Sequence, residues 1–147
     1  MAYKVLDIAE KLIQKAAKYE GAELISNLKL QKMLYYEQGY YLAKFEKPLF
    51  NEEIEAWMYG PVVPSVYEHY SKYGNNGIAP EKDEELILNS DIEERLFHEV
   101  FMAYMQYSAI GLMNKTHAEK PWMTTKTGVG NIISKEKLAK FFKTRLK

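Results

Sequence analysis

Three histidines, His69, His98 and His117, are the side chains in this sequence best suited to acid–base work or metal ligation near neutral pH. They lie far apart along the chain, and none belongs to an H-E-x-x-H motif or another metal-ligand spacing. Glu68 precedes His69 and Glu99 follows His98, but adjacent residues on a helix do not share a face and cannot act as a pair. Cysteine is absent, which removes disulfides, thiolate nucleophiles and thiolate metal sites. Gly128 and Gly130 are too few to cradle a phosphate, and there is no G-x-S-x-G nucleophile turn. Carboxylates crowd together only at residues 81–85, which read as a solvated connector, whereas acid–base catalysis needs carboxyls held in a pocket. The expectation is a protein that is not an enzyme and uses no metal or cofactor. A small metal-dependent hydrolase built on the three histidines is an alternative.

The aromatic residues point to binding. Twelve tyrosines, two tryptophans and six phenylalanines make up 14% of the chain, and Tyr35, Tyr36, Tyr40, Tyr41, Trp57, Tyr59, Tyr67, Tyr70 and Tyr73 all fall within one stretch of it. Tyr and Trp anchor protein interfaces because they bury a large area while freezing few rotamers. About half of these rings are expected in the core, with the hydroxyl at its rim. Tyr36 and Tyr40 lie off the apolar stripe of their helix, one turn apart, and Trp57 and Tyr59 share a strand face with Glu55. With the turn formed by Pro61, Val62 and Val63, and with Tyr67, these are the candidate partner-binding residues. Aromatic platforms for single-stranded nucleic acid are interleaved with Lys and Arg, yet residues 48–71 contain neither, so nucleic acid is not the favoured partner.

The elements that must position these residues follow from periodicity. Residues 5–19 have Val5, Ile8, Ala9, Leu12, Ile13 and Ala16 at helical spacing with Lys4, Glu10, Lys11, Lys15 and Lys18 between them, and Gly21 stops the helix. Ser26 caps a second helix carrying the stripe Leu30, Met33, Leu34, Tyr41 and Phe45. Glu37 falls on this stripe and is expected at its edge, reaching water or a lysine. Gly39 suggests close approach of another backbone. Residues 53–59 alternate as a short strand, and Gly60-Pro61 turns the chain. Pro64 suits the first turn of a third helix with Val66, Tyr67 and Tyr70 on its apolar face. After a loop at residues 74–77 come a possible short strand at residues 86–88 and a long helix capped by Asp91. That helix has Ile92, Leu96, Phe97, Val100, Phe101, Tyr104 and Met105 on one side. A short helix capped by Ser108 follows, then an irregular or helical stretch from Pro121, and a last helix capped by Ser134 with Leu138, Phe141, Phe142 and Leu146. The reading is a mainly α protein, a single domain over residues 1–147, with about six helices and a small β element.

Charge and hydropathy bound the class further. Twenty acidic and twenty basic residues cancel, unlike a protein whose main task is to coat nucleic acid. Residues 81–99 hold eight acids and two bases, and residues 115–147 hold nine bases and two acids. Two solvated faces that neutralise each other explain this pattern; a regulatory adaptor or DNA-linked repressor using the basic C-terminal third is the other reading. With no apolar run long enough to span a bilayer and no signal-like start, a cytoplasmic protein without a membrane partner is expected.

Several blocks also carry a family resemblance. Ser26-Asn27-Leu28-Lys29-Leu30-Gln31-Lys32-Met33-Leu34-Tyr35-Tyr36, then Gln38-Gly39, Lys47-Pro48-Leu49-Phe50 and Ile54-Glu55-Ala56-Trp57 follow one another in order. Tyr59-Gly60-Pro61-Val62-Val63-Pro64-Ser65-Val66-Tyr67, Tyr73-Gly74, Thr116-His117 and Pro121-Trp122 complete the series. Together they resemble the signature of the SocA-like, Panacea-domain family, most specifically over residues 26–67. Glu37 departs from the family pattern, which more often has a small apolar residue there. The resemblance implies a mainly helical antitoxin, phage-associated in some members, that neutralises a cognate protein toxin encoded by an adjacent gene.

Overall fold

A computed structural model describes residues 2–19 and 24–146. The expected stop at Gly21 lies outside the described residues. Those described form seven α-helices and a three-stranded antiparallel sheet. Helix α1, Val5–Lys18, begins the fold, and α2, Asn27–Phe45, is its axis. Ser26 caps α2 by accepting a hydrogen bond from the Lys29 N–H. The chain leaves at Glu46, which takes a left-handed conformation.

Helix α2 is buried on nearly every side, a packing its sequence does not advertise. An apolar stripe alone covers one face, yet Asn27, Gln31, Lys32, Glu37 and Gln38 are buried as well. Burial of polar groups is tolerable only where each finds a partner. Gln38 meets that demand by accepting from the Leu49 N–H at 2.8 Å and donating to the Phe50 carbonyl at 2.7 Å. Gln31 donates to the Asn27 side chain and accepts from the Val63 N–H, both at 2.9 Å. Glu37 is the exception. It is enclosed, not at the edge of the stripe, and its Oε2 has no hydrogen-bond partner among the described residues. Burial raises its pKa well above the usual carboxylate value, against the pull of Lys15 and Lys11 on α1.

Strands β1, Ile54–Trp57, and β2, Gly60–Val62, form a hairpin pairing Glu55 with Val62 and Trp57 with Gly60. The turn therefore falls on Met58 and Tyr59, two residues earlier than Gly60-Pro61, because Gly60 begins the returning strand. Gly60 has φ of 109°, and a Cβ there would lie 2.6 Å from Cε of Lys32. A third strand, β3, Ile132–Ile133, pairs with the other edge of β1. At two residues it offers no alternation to read. The expected strand at residues 86–88 is irregular instead, because side chains take up its backbone groups. Lys11 donates to the Leu86 carbonyl at 2.6 Å, and the Leu88 N–H donates to Glu94 at 2.7 Å.

Helix α3, Pro64–His69, a single 3-10 turn at Ser71–Tyr73 and α4, Asp91–Met105, follow. Ser90, not Asp91, caps α4, and Ile92 is exposed while the rest of the expected face is buried. Helices α5, Ala109–His117, α6, Lys120–Met123, and α7, Lys135–Lys143, complete the fold, with Ser108 and Ser134 capping α5 and α7. Gly39 admits a side chain and not a backbone: a Cβ there would lie 2.2 Å from the Phe142 ring of α7.

Among the described residues no ion pair joins the acidic segment to the basic one. The acidic one lies along α1, where Lys11 pairs with Glu94 at 3.0 Å, and Glu81 pairs with Lys72 at 3.1 Å. In the basic segment Lys135 pairs with Glu53 at 3.0 Å and Lys143 with Glu46 at 3.7 Å.

Candidate functional site

The β1–β2 hairpin projects its two turn residues into solvent, Met58 at 67% and Tyr59 at 63% exposure. Trp57, half-buried, packs edge-on against the exposed Tyr67 of α3, with ring centroids 5.3 Å apart. Trp57, Tyr59, Val62 and Tyr67 line a groove of about 430 Å³, with Asn27, Gln31 and Lys32 of α2 and Ile110 and Met113 of α5 on its other sides. Four of the eight expected binding residues therefore share one site.

The other four do different work. Pro61 and Val63 are buried anchors: the Pro61 carbonyl accepts from the Lys32 ammonium at 3.3 Å, and the Val63 N–H donates to Gln31. Val62 is itself largely buried, although it contributes to the groove. Tyr36 is not on the surface. It is fully enclosed, stacked on Tyr104 with centroids 3.8 Å apart, and its hydroxyl donates to Glu119 at 3.1 Å. Tyr40 is half-buried beside it, with hydroxyl oxygens of Tyr40 and Tyr104 2.7 Å apart. A helix enclosed by neighbours on several sides buries residues off its apolar stripe, so the stripe alone does not tell which way these two point. Glu119 also accepts from Tyr35 at 3.0 Å and lies 3.6 Å from Arg145. Burial raises its carboxyl pKa above the usual range despite these partners. This cluster ties the C-terminal segment to α2 and leaves the hairpin groove as a separate feature.

Polar contacts brace the exposed hairpin at several points. The Trp122 indole donates to the Trp57 carbonyl at 2.8 Å. Glu55 accepts from the Trp57 indole at 2.9 Å and from the Gly130 N–H at 2.7 Å. Asn27 donates to the Tyr67 carbonyl at 3.0 Å, tying α3 to α2. A fixed apolar tip costs little entropy to dock, the property that makes rigid aromatics good anchors.

Lys32 is the residue that sequence reasoning missed. It is fully buried, and burial lowers its pKa to about 7. A lysine between Leu30, Met33 and Leu34 gave some warning, and so did Asn27 and Gln31, four residues apart on one face. The histidines do not converge. His69 lies 3.0 Å from Glu81, whose pKa falls to about 2 chiefly through hydrogen bonds from His69 and Tyr73. His98 is exposed on α4, and His117 stacks on Trp122. Among the described residues no three His, Asp or Glu side chains form a metal-binding group, and no helix is long and apolar enough to cross a membrane.

The profile of the family described as Antitoxin SocA-like, Panacea domain, matches residues 30–123, which include the hairpin and most of α2. Antitoxin SocA of Caulobacter vibrioides (strain NA1000 / CB15N) is 34% identical over 135 residues, covering 84% of this chain and 70% of that protein. No solved structure matches the chain.

Proposed function

As this chain belongs to the SocA-like, Panacea-domain antitoxin family, we propose that it neutralises a protein toxin by binding it directly, and that an adjacent gene encodes the toxin. It acts as a binding module and not as an enzyme. The observation that carries this reading is the braced hairpin, which holds Met58 and Tyr59 in solvent beside the Trp57–Tyr67 pair and exposed Ile110. Large exposed apolar side chains gathered on a rigid support are characteristic of interface anchors. An interface of standard size buries about 800 Å² on each partner, more than the tip alone provides, so the groove and α5 contribute to the contact.

The test is expression of the neighbouring reading frame alone and together with this chain, with growth and co-elution measured. Growth arrest by the neighbour, relief by this chain and a shared elution peak are expected. A harmless neighbour that elutes separately would contradict the proposal.

A further inference from the structure

We infer that the hairpin groove receives an acidic side chain, Asp or Glu, from the toxin, laid over Lys32 and flanked by apolar side chains packed against Trp57 and Tyr67. This rests on the antitoxin reading and specifies the chemistry of the partner. The argument begins with an imbalance of charge. Lys32 is enclosed at the groove, its ammonium has a single hydrogen bond, to the Pro61 carbonyl at 3.3 Å, and no charged group of the described residues offsets its burial. Among the described residues, the groove's lining includes no carboxylate. The Lys32 ammonium meets the Pro61 carbonyl from β2, its stem and the Thr116 hydroxyl of α5 both lie against Gly60, and Tyr59 and Tyr67 line the same groove.

A buried ammonium without a counter-ion is costly and is uncommon away from functional sites. Gly60 preserves the arrangement, since any Cβ there would strike the Lys32 stem. The side chain is enclosed, so its charge is screened less than it would be in bulk water. An apolar segment without an acid would drive Lys32 to its neutral form, a basic segment would be repelled, and only an acidic one holds the ammonium charged in a dry interface. The aromatic and aliphatic walls suit the rest of the segment, and the acid supplies specificity.

Docking has a measurable consequence in protons. Burial puts the pKa of Lys32 at about 7 in the free protein, so part of the population is neutral at pH 7.5. A carboxylate placed nearby favours the charged form, and binding therefore takes up a proton. The test is calorimetric titration of the purified adjacent-gene protein with this chain at pH 7.5, in phosphate and in Tris, whose ionisation enthalpies differ. The same titration is repeated with Lys32→Met and Lys32→Gln, each checked for an unchanged far-UV spectrum. Expected are proton uptake by the natural chain, its loss in both variants, and affinity at least about thirtyfold weaker, the usual scale for removing one member of a buried interfacial charge pair. The proton measurement on the natural chain stands even if neither variant folds. Tight binding with no buffer dependence would overturn the inference and leave the antitoxin reading in place. Failure of the natural chain to bind would remove both.

Discussion

Replacing Glu37 with Gln removes a titration that the folded protein resists. The carboxyl is enclosed within the packing of α2, and its Oε2 lacks a partner among the described residues. Burial raises its pKa far enough that the attraction of Lys15 and Lys11 does not restore it. In the unfolded chain the proton leaves near pH 4.5, the unperturbed value, while the folded chain keeps it. The unfolded state then binds fewer protons, so this group makes stability fall as pH rises from about 4.5 to the folded-state pKa, and the loss levels off beyond it. The limiting slope over that interval is about 1.4 kcal/mol per pH unit. Urea denaturation of both proteins from pH 4.5 to 8 at fixed ionic strength measures this, and the difference between them cancels the other titrating groups. Glu37→Gln should match the natural protein near pH 4.5 and become increasingly the more stable as pH rises. A pH-independent difference would refute a buried neutral carboxyl. A difference growing in the natural protein's favour would mean a charged carboxylate paired with Lys15.

Lys32→Met should show a related signature on the alkaline side. The folded-state pKa of about 7 lies below the unperturbed 10.5, so natural stability rises between those values as the folded lysine sheds its proton first, with a limiting slope of about 1.4 kcal/mol per pH unit. The variant should lose that rise in alkaline urea melts. Gly39→Ala should destabilise the fold despite a gain of about 1 kcal/mol in helix propensity: the Phe142 ring must move, and overpacking costs about 1–3 kcal/mol or more. A raised melting temperature would show that α7 yields freely. Gln38→Ala should cost about 1–3 kcal/mol for each of the Leu49 N–H and Phe50 carbonyl left unpaired, and an unchanged urea midpoint would mean that water replaces the amide.

Local signals were the most legible in the sequence. Ser26, Ser108 and Ser134 cap the helices expected of them, and Pro64 opens α3, because a cap depends on a few consecutive residues. What failed depends on distant partners. One apolar stripe directs Tyr36 outward, but the packing of α4, α5 and α7 about α2 leaves it no solvent. Glu10 and Lys11 read as the polar face of α1 and are buried under residues 81–94, which they bind. The hairpin was visible as alternation, and its turn was misplaced because Gly-Pro is a strong turn signal that here opens a strand. At the candidate groove, the aromatic pattern points to Trp57, Tyr59 and Tyr67 and the adjoining turn to Val62, whereas no such pattern points to Lys32. Its significance comes from missing partners, and periodicity carries no information about those.

The most direct test of the central claim is the dissociation constant of the adjacent-gene protein for the natural chain and for Tyr59→Ala. Tyr59 is 63% exposed at a turn, so its truncation should leave stability within about 0.5 kcal/mol. As an interface anchor it should be worth about 2 kcal/mol or more, close to a thirtyfold loss of affinity. Tight binding by the natural chain, and weakening of that order in an equally stable variant, is the result expected. Equal affinity of the two proteins would place the contact away from the hairpin, and no binding by either would contradict the antitoxin assignment for this chain.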